Sequence, residues 1–108
     1  MLKVYFAGQD NFGNRGCEAL IRSNVKTIQS VFENTEFFVP SRRADLDSQQ
    51  WPDAASAGVH FVATEPLPSV IRWWGRLRRC VIWFEKHPPS IRLTPATHEL
   101  IARSDVLV

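Results

Sequence analysis

At 108 residues, 44% hydrophobic and 22% charged, the chain has globular composition and length for one small domain with a single core, which excludes general disorder. Its net charge of +2 is too small for the broad basic surface of a nucleic-acid binder, and it is uneven: residues 69–86 hold Arg72, Arg76, Arg78, Arg79 and Lys86 against Glu85 alone, +4 in all, leaving −2 elsewhere. The apolar start LKVYFA is too short for a signal-peptide core or a membrane span, so a cytoplasmic location is expected, and Cys17 and Cys80 lie in no disulfide or zinc-ligand spacing.

Residues 2–7 are rich in strand formers, broken only by Lys3, and predict a strand buried on both faces near the middle of a parallel sheet. The loop GQDNFGNRGCEAL follows. Over residues 17–32, Cys17, Leu20, Ile21, Val25, Ile28, Val31 and Phe32 recur at three and four, one face of a helix with Asn14 as its N-cap. EFFV (36–39) predicts a second strand, stopped by Pro40, and residues 41–56 a polar loop with room for one short helix. GVHFVA (58–63) predicts a third strand.

After the breaker TEPLP, Ser69 is placed to cap a helix over 69–84, with Val70, Trp74, Leu77, Val81 and Phe84 on one face and Arg72, Arg76 and Arg79 on another beside Trp83. EKHPPSIRLTPA reads as a loop, Thr94 and Pro95 as N-cap and N1 of a last helix ending near Arg103, and residues 105–108 as a fourth strand. The alternation of strands and helices predicts a single α/β domain over 1–108: a Rossmann-like parallel sheet with flanking helices. The last strand stops where such a unit would turn into its next functional loop, so the chain is expected to be the truncated front of something longer.

Gly8, Gly13 and Gly16 permit positive φ and close backbone approach, and the free amides opening the next helix carry partial positive charge. Together they suit an anionic or hydroxyl-rich ligand, at the position where open α/β sheets hold ligands. The spacing is neither GxGxxG nor a Walker A loop, since Asn14 stands where the latter has lysine. A purely structural reading also accounts for the loop: Asn14 caps, Gly13 and Gly16 serve the turn, and Glu18 complements the helix dipole. The alternative for Glu18 is to accept a hydroxyl proton or bind a sugar hydroxyl, and for Arg15, otherwise a solvated loop charge, to meet a phosphate or carboxylate. Cys17, at a helix N-terminus, is either a nucleophile or a small packing residue, and His60, His87 and His98 are assigned to neither metal nor catalysis.

DNFGNRGCEALIRS, behind a first strand KVYFAGQ, resembles the N-terminal signature of polysaccharide pyruvyl transferase family proteins. Asn14, Gly16, Glu18 and Ala19 can be laid on that signature, and Cys17 stands where the family commonly has aspartate; SDVLV resembles the strand that leads into the family's glycine-pair loop. The resemblance implies the N-terminal lobe of a GT-B-like fold, with its second lobe absent from these residues and chemistry in the cleft between lobes. It implies transfer of a pyruvyl group from phosphoenolpyruvate to a polysaccharide or lipid-linked sugar, with Asn11, Gly13, Asn14, Gly16 and Glu18 on the substrate side and no cofactor; the residues themselves, by spacing and charge, point to no metal and no nucleic-acid partner. The 108 residues alone are expected to be inactive, and the alternative is a non-catalytic α/β remnant or an anion- or sugar-binding module. The basic, tryptophan-rich helix has two readings as well: peripheral contact with an anionic membrane, or an arginine face on a helix whose aromatic side fills the core or meets the second lobe.

Overall fold

The computed structural model describes residues 1–8, 12–64 and 68–108, with the backbone alone for Phe84. In chain order the elements are β1 (Leu2–Tyr5), α1 (Arg15–Gln29), β2 (Thr35–Ser41), α2 (Ala44–Gln50), β3 (Val59–Ala63), α3 (Ser69–Leu77), α4 (Ile82–Lys86), α5 (Pro95–Ala102) and β4 (Val106–Leu107). The four strands form one all-parallel sheet in the order β3-β2-β1-β4, a Rossmann-like α/β arrangement that meets the expectation of a single parallel sheet.

β1 is central, with Tyr5 opposite Phe38 of β2 and Leu107 of β4. Val4 and Tyr5, pointing to opposite faces, are both buried. On one face Val4, Phe6, Phe37, Val39 and Val59 form the core with Ile21 and Val25 of α1, and Ile28 packs against its rim. α1 starts earlier and stops sooner than its periodicity predicts, at Gln29, which leaves Val31 and Phe32 exposed beyond its end. Leu20 is also exposed, because it lies about 100° around the helix from Ile21.

Pro40 does not stop β2, which continues to Ser41. Phe37 donates its N–H to Gly58 O on the β3 side, so by alternation the Pro40 nitrogen faces β1, past the last β1 pair at Tyr5. The missing N–H therefore costs β2 nothing on its β3 side, where pairing runs on to Ser41 and Ala63.

The helix predicted over 69–84 is two helices. Pro68, not Ser69, occupies the N-cap position of α3, and Val81 is extended at φ −135° between α3 and α4. Arg76, Arg78 and Arg79 crowd the break, β-branched Val81 and Ile82 follow, and no core contact compensates their weak helix preference. No described side chain in 68–93 is buried, so of the readings open for the apolar stripe, filling the core does not hold, and the molecule is drawn out to 49 Å along one axis. α5 has its expected Thr94 cap and Pro95 at N1. Among the described residues no helix is long and apolar enough to cross a membrane.

Candidate functional site

The strand order reverses at β1: the chain goes to β2 and β3 on one side and returns to β4 on the other. The crevice beyond the carboxyl ends of strands at such a reversal is where open α/β sheets hold ligands. The glycine loop leaves β1 at this point, and Ala7 donates its N–H to Val108 O at 2.7 Å, tying the loop's start to the end of β4.

Asn14 caps α1, accepting the Gly16 N–H on its Oδ1 at 2.9 Å. Asn14→Ala should lower stability by about 1 kcal/mol, read as a fall of about 4 °C in a thermal melt. Gly8 takes φ +74°, whereas Gly16 is an ordinary helical residue where an added Cβ would meet only Asn14 Oδ1, at 3.4 Å. Gly16 is therefore not needed for backbone geometry.

Phe12 anchors the loop from below. It is fully buried, stacked on Trp51 at 6.0 Å and edge-on to Phe61 at 5.0 Å. Trp51 in turn lies under the Arg22 guanidinium at 4.8 Å. Arg22 pairs with Glu18 at 2.7 Å and donates to Gln50 O, and Gln50 Nε2 donates to the other Glu18 oxygen at 3.1 Å. Glu18 thus ties α1 to the end of α2.

Above this support lies a cavity of about 460 Å³, lined by Gly13 and Asn14 from the loop, Arg42 and Arg43 from the end of β2, and Leu46, Asp47 and Gln50 from α2. Asp47 is buried and accepts from the Ser41 hydroxyl, and Ser41 Oγ accepts the Arg43 N–H at 3.0 Å. That relay fixes the turn carrying the two arginines and engages the one carboxylate among the described lining residues. The Arg43 guanidinium, which pairs with no carboxylate among the described residues, and the positive end of α1 then border the cavity, which favours an anion.

Compared with protein-family models, curated proteins and solved structures, the chain has no match in any of the three.

Of the residues expected to bind substrate, Gly13 and Asn14 line the cavity. Gly16 lies one turn-step behind them, Glu18 is held on the flank of α1, and Asn11 falls outside the described residues. Cys17 is half-buried on α1 and does not line the cavity, and His60 is exposed on β3 against Phe38. Sequence reasoning missed Arg42 and Arg43. The available signal was SRRAD directly after a strand, the position already treated as functional after β1.

Proposed function

We propose that the chain is the N-terminal, Rossmann-like lobe of a polysaccharide pyruvyl transferase family protein with GT-B-like architecture, and that its cavity at the ends of β1 and β2 forms the donor side of the interlobe cleft. The reading places it in the cytoplasm, acting on a polysaccharide or lipid-linked sugar. The observation that carries it is the meeting of Gly13 and Asn14, within the segment that bears the family resemblance, with Arg42 and Arg43 in one cavity. Phosphoenolpyruvate presents a phosphate and a carboxylate, which the Arg43 guanidinium and a helix N-terminus complement. In the transfer, two sugar hydroxyls add at the enol carbon, inorganic phosphate leaves, and the methylene gains a proton to become the ketal's methyl group. The residues of this chain would bind and orient the donor, and acid–base groups would come from the facing lobe.

A non-catalytic anion- or sugar-binding module is the second reading, favoured by one observation: both Glu18 carboxylate oxygens are engaged, by Arg22 and by Gln50, so this acid is not poised as a base.

The test is acceptor-dependent phosphate release from phosphoenolpyruvate by the complete gene product. Arg43→Ala should reduce kcat/KM on the order of tenfold or more, mainly through KM, as expected for loss of a charge-assisted contact worth roughly 1.5–3 kcal/mol. Its melting temperature should not change, because the Arg43 side chain is exposed. The 108-residue chain alone should give no ketal. Unchanged kinetics in Arg43→Ala would remove the proposed donor site, and phosphoenolpyruvate binding without any transfer by the complete product would favour the second reading.

A further inference from the structure

α3 and α4 present an apolar groove of about 310 Å³ between Val70, Trp73, Trp74 and Leu77 on one side and Trp83 and Pro89 on the other. Trp73 and Trp83 are 60% and 59% exposed, and Ile82 beside them is 72% exposed, more apolar surface than scattered single residues would give.

The arginines edge this strip rather than forming a separate face. Arg76 lies over the Trp73 ring at 5.6 Å on one margin, one turn from Arg72, and Arg78 lies over Trp74 at 5.1 Å on the other. Among the described residues none of Arg72, Arg76, Arg78 and Arg79 pairs with a carboxylate, and the segment 69–86 carries +4 on a chain whose remainder carries −2. Arg79 and Trp83 are not on the same helix, as a continuous helix would have placed them: Trp83 joins the other tryptophans across the groove.

We infer that the α3–α4 segment docks on an anionic lipid surface, its tryptophans entering the headgroup boundary and its arginines meeting lipid phosphates. Charge selects this occupant. A second copy of the chain would bring an identical cationic margin against the first, and a protein surface closing over the strip would have to supply carboxylates for several desolvated guanidinium groups. An anionic bilayer supplies negative charge over a plane and takes tryptophan at its interface, and arginine stems can lie along the rings while their heads reach the phosphates. The docking is peripheral, since neither helix is long enough to span. It requires no catalysis and stands or falls independently of pyruvyl transfer.

The experiment is flotation of the 108-residue chain with vesicles of phosphatidylcholine alone or mixed with phosphatidylglycerol, with tryptophan emission followed in parallel. Binding and a blue shift are expected only on the mixed vesicles, weakening as salt is raised. The R72Q/R76Q/R79Q variant should bind on the order of a hundredfold more weakly, at roughly fivefold per basic residue. W73S/W83S should lose the blue shift and most of the binding. All five side chains are exposed, so both variants should melt like the parent. Equal binding to the two vesicle types, no binding to either, or unaltered binding by the arginine variant would overturn the inference. So would a concentration-dependent dimer abolished by W73S/W83S in a chain that ignores vesicles.

Discussion

Gly58→Ala is expected to destabilise the protein by about 3 kcal/mol or more, from two costs acting at one atom. Gly58 has φ +70° at the end of the turn before β3, and a Cβ built there falls 2.6 Å from Thr35 O, the first backbone carbonyl of β2. Left-handed backbone alone costs an alanine about 1–2 kcal/mol. The contact adds more, because Thr35 is paired with Leu2 of β1 and the Gly58 carbonyl accepts the Phe37 N–H at 2.8 Å, so neither strand can give way without loosening the sheet. The melting temperature should fall by more than about 12 °C. Gly58→Asn separates the two costs: asparagine tolerates the left-handed region but keeps the Cβ, and it should remain well below the parent. An alanine variant within about 1 kcal/mol of the parent would show that the turn relaxes freely.

Phe12→Ala should cost about 3–5 kcal/mol in urea unfolding, the range for emptying a large aromatic site. Phe12 is fully buried against Trp51 and Phe61, and deleting it also removes the support under Arg22 and hence under the Glu18–Gln50 tie. Phe12→Leu should retain most of the stability, losing about 1.5 kcal/mol or less. The comparison has a functional side, since Phe12 immediately precedes Gly13 and Asn14 in the cavity lining. A variant that stays folded while the loop loosens would bind an anionic ligand less well with most of its global stability kept, which titration of Phe12→Leu would reveal.

What was legible in the sequence was what is decided locally. The Asn14 cap and the Thr94–Pro95 start depend on a few neighbouring residues and stand where the pattern puts them. The four strands were visible because each is a short apolar run between breakers, and long crossovers left parallel pairing as the available arrangement. Pro40 was misread because the effect of a missing N–H depends on which neighbouring strand it would have faced, and that depends on strand order. What covers the stripe of α3 stayed open because periodicity reveals an amphipathic face and not its partner. Phe12 was overlooked for a related reason: a lone aromatic within a glycine-rich turn belongs to no period. Arg42 and Arg43 reach Gly13 only because β2 lies directly beside β1, a fact of topology carried by no single stretch of chain.

β1 pairs on one side with a strand about 30 residues away and on the other with β4, about 100 residues away, through Val4↔Val106 and Tyr5↔Leu107. During synthesis these two sides close at different times. At ordinary elongation rates Val106 follows Val4 out of the ribosome after about 5–20 s. Throughout that interval the nascent chain carries VYF, a strand-prone apolar stretch, with one row of backbone donors and acceptors unpaired. β1, flanked on both sides in the folded sheet, is therefore an edge strand until β4 emerges, and its exposure to misassembly is set by how long β4 takes to arrive rather than by how firmly it binds once there.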